Sequence, residues 1–363
     1  MAKYRIAWLP GDGVGNDVLE ATRIVLDALR LDAEYRPGDI GWEFWRREGD
    51  PLPVRTIELM KQTNCAMFGA ITSKPKSVAE QELNPSLRGT GLSYRSPIVR
   101  MRQLFDLYNC QRPCKAYPGN PLNYREGIDF MVFRENTEDL YSGVEFYPIP
   151  ESMFMLKGME KVPRDAAISL KINTPKGCRR IIRKAFDFAR DNKRKKVTCV
   201  HKANVVRFTD GMFLETFYEI AREYPGVAKD DANIDALTMW LLKNPFNYDV
   251  LVAPNLYGDI ISDLCAQMVG GLGFGASGNI GDNYAVFEPS HGSAPKYTGL
   301  YKVNPIASII AARMMLEWLG EKEMADKLEN SVAAVIKEGK VRTYDMGGSS
   351  TTLQMAEAIA KAL

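Results

Sequence analysis

The chain has 363 residues, 45% hydrophobic and 25% charged, with 47 Lys plus Arg against 45 Asp plus Glu and a formal charge of +2. These globular fractions exclude a disordered, collagen-like or membrane-bundle chain and leave length for one large or two medium domains. The near balance of charge argues against a dedicated nucleic-acid partner, and the basic run at residues 190–196 reads as a solvated helix end. No stretch reaches the ~20 apolar residues of a membrane span. The opening MAKYRIAWLPGDG lacks a signal-peptide pattern. Six scattered cysteines without a CxxC pair read as reduced thiols, and two histidines give no zinc-ligand spacing. A soluble cytoplasmic protein is expected.

In chain order, a strand at residues 4–9 leads through a glycine turn into a helix from about Asp17, with Val18, Ala21, Val25 and Leu29 on one apolar face. A strand at 65–69 precedes a Ser-, Lys-, Pro- and Gly-rich loop reaching about Ser96, a length often tied to function. Residues 98–107 read as helix, 130–134 as strand, 175–190 as helix and 197–201 as strand. A strand at 249–253 and a helix at 260–269 precede the stretch GGLGFGASGNIG, and helices follow at 306–319, 323–337 and 353–363. Strands alternating with helices give an α/β architecture.

Five motifs carry chemistry. GDGVGND, residues 11–17, follows a strand and opens a helix, but Asn16 stands where a dinucleotide fingerprint needs its third glycine. A tight, backbone-exposing turn fits it better than a pyrophosphate cradle. Arg102 and Arg112 flank a helix-like stretch and Arg134 opens FRENTEDLY. Guanidinium forks grip carboxylates in bidentate fashion, so three converging arginines would suit a polycarboxylate; singly, each could be a surface ion pair. In NLYGDIISD, Asp259 and Asp263 lie one helical turn apart. Hard oxygen ligands at that spacing suit Mg²⁺ or Mn²⁺; the alternative is two solvated acids near a helix start. VHKAN sets Lys202 at the end of a buried strand, where α/β active sites gather, though a lysine there can simply reach solvent. HGSAPKY, residues 291–297, is a Gly/Pro loop that could wrap a nucleotide or be a plain turn.

Together these motifs, with EPSHGSAPKY and TYDMGGSSTT, resemble the β-decarboxylating dehydrogenases that act on isocitrate, homoisocitrate, 3-isopropylmalate or tartrate, and most of all the isocitrate enzymes. The resemblance runs nearly end to end. It implies an α/β, non-Rossmann, isocitrate/isopropylmalate dehydrogenase-like two-domain fold around one through-going sheet. Residues 1–107 with 270–363 would form the large, cofactor-side domain. Residues 108–269 would form the small domain, with a dimer-interlocking arm at about 143–174. A homodimer with shared active sites is implied.

By position, the resemblance makes Tyr141 and Lys202 the catalytic residues, Lys202 reaching in from the partner chain to accept the hydroxyl proton and Tyr141 protonating C3. Ser96, Arg102, Arg112 and Arg134 would hold the substrate. Asp259 and Asp263, with Asp235 from the partner chain, would hold Mg²⁺ or Mn²⁺. His291, Gly292, Ser293, Ala294, Lys296, Tyr297, Asn304 and Tyr344 would hold the dinucleotide. Lys296 and Tyr297 stand where NAD-specific relatives carry aspartate, and a lysine attracts a 2′-phosphate, which favours NADP over NAD; an arginine of NADP-dependent relatives is replaced by Gly348.

The expected reaction is metal-dependent oxidative decarboxylation of a 2-hydroxy-3-carboxy acid, foremost isocitrate to 2-oxoglutarate. Homoisocitrate and 3-isopropylmalate are the alternatives. Ser96 argues for a carboxylate-bearing substituent; Ile98 cannot bond one, and Arg95 and Arg100 could supply charge instead. A non-catalytic regulatory subunit would have broken catalytic positions, whereas Tyr141, Lys202 and all three aspartates are present.

Overall fold

The computed structural model describes residues 2–363. Twelve strands are formed: Tyr4–Gly11 (β1), Ala33–Pro37 (β2), Cys65–Ala70 (β3), Asn109–Lys115 (β4), Asp129–Glu135 (β5), Glu145–Phe146 (β6), Ile168–Ser169 (β7), Lys196–His201 (β8), Ala228–Asn233 (β9), Val250–Ala253 (β10), Ala276–Ile280 (β11) and Ala285–Pro289 (β12). Ten of them make one sheet in the order β2-β1-β3-β12-β11-β4-β5-β10-β8-β9. The outer pairings are parallel, while β12–β11, β11–β4 and β4–β5 in the middle are antiparallel. The strands of one half come from residues 4–70 and 276–289, those of the other from residues 109–253.

The strands that look most apolar in sequence are buried along their whole length. Every residue of β3 and β10 is buried, as expected of parallel strands covered on both faces. The helix Ile306–Trp318 is buried on nearly all sides. It packs with the helices Gly15–Ala28 and Lys322–Glu338 over Ile6, Met67 and Phe287 of the first half. In the other half, the helix Pro175–Asp191 begins where the Thr174 hydroxyl accepts from the Gly177 amide and Pro175 fixes the first turn. Its Ile181, Ile182, Ala185 and Phe186 join Phe133, Val197 and Val252 in a second core.

Several boundaries differ from the sequence reading. The helix expected at 98–107 spans Pro97–Leu104 and stops before Asp106, which takes a left-handed φ of 46°. The helix expected at 260–269 spans Asn255–Gln267, because Pro254 sets its start. The long loop after β3 contains a short helix, Lys76–Glu82. The stretch between Arg102 and Arg112 is the end of one helix and the start of β4, so Arg112 is a strand residue. The Gly-rich stretch contains β11. The run at residues 190–196 is largely neutralised: Arg190 pairs with Asp191, Arg194 with Asp129 and Asp249, and Lys196 with Asp230. All six cysteines are free and buried. Among the described residues, no helix is long and apolar enough to cross a membrane. Residues 143–174 form the two-stranded β6–β7 sheet with 3₁₀ turns between, and Tyr147, Met155 and Leu156 there are exposed.

Candidate active site

Three guanidinium groups converge beside the helix Asn255–Gln267. Arg134 on β5, 1% exposed, donates from Nε and Nη2 to Asn255 Oδ1 at 2.9 and 2.8 Å, and from Nη1 to Asp259. Arg112 on β4 donates to Ser262 Oγ at 2.7 Å and Asp263 Oδ1 at 3.1 Å, with Asp259 Oδ1 at 3.2 Å. Arg102 donates to Asn279 Oδ1 at 2.9 Å and Glu288 Oε1 at 3.4 Å. Tyr141 donates to Asp259 Oδ2 at 2.6 Å, and Arg134 sits 4.9 Å over its ring. Asp259 is thus the hub for two arginines and the tyrosine.

The charges shift one another. Burial and the neighbouring cations Arg102 and Arg112 lower Arg134 to about 10. Burial raises Asp259, but Arg134, Arg112 and the Tyr141 hydroxyl outweigh it and leave the carboxyl below its usual range. Asp263 is raised, by burial first and by the Asp259 charge as well. Burial and the bond to Asp259 raise Tyr141, keeping its proton on oxygen at neutral pH.

Two carboxylates one turn apart, one of them more than half exposed at Asp263, form a hard oxygen pair of the kind that Mg²⁺ or Mn²⁺ takes. Among the described residues no three His, Cys, Asp or Glu side chains come together as a metal cage. Asp235 stands elsewhere, at the start of the helix Ile234–Lys243, and accepts from Lys202. Lys202 directly follows β8, as the sequence places it, and its backbone amide is held by Asp210 Oδ2 at 2.8 Å. The donor set of one chain therefore fits a divalent ion that takes further ligands from elsewhere.

A cavity of about 500 Å³ is lined by His291, Gly292, Ala294, Tyr297, Asn304 and Tyr344. The Nε2 atom of His291 is buried without a partner, and burial lowers the ring's pKa, so the imidazole is neutral at pH 7. The Tyr297 and Tyr344 rings lie 5.7 Å apart at 35°. A buried unpartnered ring nitrogen and two flat aromatic faces fit a nucleotide. Two further expected residues lie at its margin. Ser293 turns its hydroxyl to Thr72 Oγ1 at 2.6 Å, and Lys296 stands at the exposed edge, 4.9 Å over the Tyr297 ring. Asn304 donates to Asp345 Oδ2 and accepts from the Ile306 amide, both at 3.0 Å. Ser96 precedes the helix Pro97–Leu104, and Arg100 pairs with Asp50.

The model of the family described as isocitrate/isopropylmalate dehydrogenase matches residues 5–359. This chain belongs to that family. It is 39% identical over 99% of its length to the 3-isopropylmalate/3-methylmalate dehydrogenase of Methanocaldococcus jannaschii, covering 98% of that protein. It is 41% identical over 99% of its length to the isocitrate/homoisocitrate dehydrogenase of Thermus thermophilus, also covering 98% of it. Against Protein DlpA of Legionella pneumophila it is 38% identical over 98% of its own length but spans only 58% of that protein. The crystal structure of isocitrate dehydrogenase from Methylococcus capsulatus superposes with a TM-score of 0.87 at 38% identity, covering 99% of both chains. Enzymes of the isocitrate/isopropylmalate dehydrogenase family are decarboxylating dehydrogenases that generally use NAD(P) and a divalent metal.

Within this family member, the residues that orient the arginines escape sequence reasoning. Asn279 takes Arg102 Nε, donates to Glu288 Oε1 at 2.8 Å and accepts from Asn136 at 2.9 Å. Asn255 fixes Arg134 and donates to Glu138 O at 3.2 Å. A lone amide inside a strand, such as Asn279, carries no periodic signal, and Asn255, though it opens NLYGDIISD, has nothing in its spacing to tie it to Arg134; both are buried.

Proposed function

We propose that this chain catalyses divalent-metal-dependent oxidative decarboxylation of a 2-hydroxy-3-carboxy acid, with isocitrate and NADP as the first assignment. The cluster of Arg112 and Arg134 on Asp259, with Arg102 near enough to shift both Arg134 and Asp259, carries the reading, because neighbouring guanidinium groups suit a ligand with several carboxylates. On binding, the substrate carboxylates would take over the forks, and Asp259 and Asp263 would turn to the metal. When bound, the metal ion and the dinucleotide would supply a Lewis acid at the 2-oxygen and a hydride acceptor. Tyr141, protonated and held by Asp259, would deliver its proton to C3.

Lys202 and Asp235 would complete the site of a second copy of the chain, since each chain pairs them with each other and, among the described residues, sets no third acid beside Asp259 and Asp263 as a metal cage. The exposed Tyr147, Met155 and Leu156 at residues 143–174 support an arm that such a copy would cover. The two halves of the sheet would correspond to a large domain of residues 1–107 with 270–363 and a small domain of 108–269. The cavity around His291, Tyr297 and Tyr344 would take the dinucleotide.

Homoisocitrate is the second reading. Arg100 is engaged by Asp50, which leaves Arg95 as the charge nearer to Ser96 for a distal carboxylate. Ile98 packs partly into the core with Leu9, Phe68 and Met101, so it offers little free surface to an extra methylene. Steady-state assays of the purified protein with Mn²⁺, either dinucleotide, and isocitrate, homoisocitrate, 3-isopropylmalate or tartrate test the proposal. Absence of turnover on all four would refute it.

A further inference from the structure

The turn at residues 11–17 carries two carboxylates, and both are occupied in holding loops. Asp12 accepts from the Trp42 amide at 2.7 Å and the Thr72 amide at 2.8 Å. Thr72 in turn meets Ser293 through their hydroxyls, and the Val14 amide donates to Ser293 O at 2.9 Å. The approach is so close that a Cβ on Gly13 would lie 2.1 Å from that carbonyl oxygen. Asp17, 3% exposed, accepts from the Gly299 amide at 3.1 Å and the Tyr301 amide at 3.3 Å. The Tyr301 hydroxyl adds a bond to Glu20 Oε2 at 2.7 Å.

Gly299 and Tyr301 both lie in the left-handed region, at φ 69° and 47°. For a tyrosine that conformation is strained, and it persists only where the surroundings over-determine it. The buried Asp17 carboxylate is such a constraint. The segment it holds runs between Tyr297 and Asn304, both on the wall of the His291 cavity.

We propose that GDGVGND works as a loop clamp and that Asp17 is a positioning residue for dinucleotide binding, keeping residues 297–304 in their binding-ready conformation. The inference rests on the reading of that cavity as the dinucleotide site. Asp17 touches no ligand; it acts through the two amides it fixes. Losing it lets the segment relax, and apparent affinity falls by the fraction of molecules that remain binding-ready.

The test compares Asp17→Ala, Asp17→Asn and the unaltered full-length protein. NADPH and NADH affinities are measured by nucleotide fluorescence, amide exchange is followed over residues 297–304, and Mn²⁺ affinity is the control. Asp17→Ala is expected to raise the NADPH dissociation constant about tenfold, as for a binding-ready population of about one tenth. Exchange over 297–304 should quicken while Mn²⁺ affinity stays within about twofold. Asp17→Asn, which keeps one acceptor oxygen, should recover part of the nucleotide affinity. Unchanged NADPH affinity in Asp17→Ala, or equal loss of nucleotide and Mn²⁺ affinity, overturns the inference alone. An unaltered protein that binds neither nucleotide overturns the cofactor reading and the inference with it.

Discussion

Lys202 donates its ammonium proton to Asp235, not to Asp259. The expected proton acceptor and the metal aspartate expected from the partner chain are thus tied together on one chain, while Tyr141 and Asp259 are tied together at the arginine cluster. Lys202→Met and Tyr141→Phe should each fold normally and lose about 10²-fold or more in turnover, since each removes a proton carrier. If Lys202 serves a second copy, mixing the two inactive variants under subunit exchange regenerates one intact site per mixed dimer. About a quarter of normal activity should return. No recovery on mixing would place Lys202 and Tyr141 in the same chain's site.

Removing divalent ions with EDTA should abolish turnover, and Mn²⁺ or Mg²⁺ should restore it. The two aspartates should differ in stability. Asp263→Asn should weaken Mn²⁺ binding with little change in Tm, because that side chain is 57% exposed. Asp259→Asn should weaken it and also cost about 1–3 kcal/mol of stability, because the buried Arg134 loses its counter-ion. Thermal melts with and without Mn²⁺ separate the two effects.

Nucleotide preference should depend on lysines. Gly348, where the resemblance would place an arginine, has no room for a side chain: a Cβ would lie 2.1 Å from Arg342 O. Lys302 instead stands 5.1 Å over the Tyr344 ring and 5.8 Å over the Tyr297 ring. Lys296→Ala combined with Lys302→Ala should raise the KM for NADP about tenfold relative to NAD, the size of one lost charged phosphate contact. A strong preference of the unaltered enzyme for NAD would remove the basis for this expectation.

Substrate choice should turn on Ser96. Ser96→Asp would set a fixed negative charge against the substrate's own carboxylate and should cut kcat/KM for isocitrate sharply. Higher kcat/KM for homoisocitrate or 3-isopropylmalate in the unaltered enzyme would overturn the assignment to isocitrate.

Burial also gives His291 a pH signature. Its folded pKa lies below that of the free ring, so between the two values the unfolded chain binds the extra proton. Stability is therefore complete above about pH 6.5, the free-ring value, and falls as the pH drops below it. His291→Gln should flatten the part of the Tm profile below about pH 6.5. An unchanged profile would show that the ring is not held neutral.

How far the sequence could be read follows from what each element does. The helix Pro175–Asp191 was legible because its cap, its first-turn proline and its apolar spacing agree. The edge strand β9, AKDDAN, was not, because its residues are polar and none is fully buried. Strand β4, NCQRPCK, was missed for a functional reason: it carries Arg112 where an apolar residue would complete the pattern. The arginines, Tyr141 and the aspartates were legible as motifs. Asn255 and Glu288 open the motifs NLYGDIISD and EPSHGSAPKY, but their hold on the arginines was not legible, and Asn279, an isolated buried polar group, leaves no period at all.

The middle of the sheet has a mechanical consequence. Strands β11 and β4 meet over only three residue pairs, Gly278 with Gln111, Asn279 with Cys110 and Ile280 with Asn109. The sheet is thus continuous between the two halves only through this short ribbon, flanked by cross-half contacts such as Lys115 with Glu329 and Arg180 with Asp106, and a twist of one half against the other would strain it. Asn279 lies on it and holds Arg102. A twist there would therefore reach a guanidinium group of the arginine cluster through one hydrogen bond.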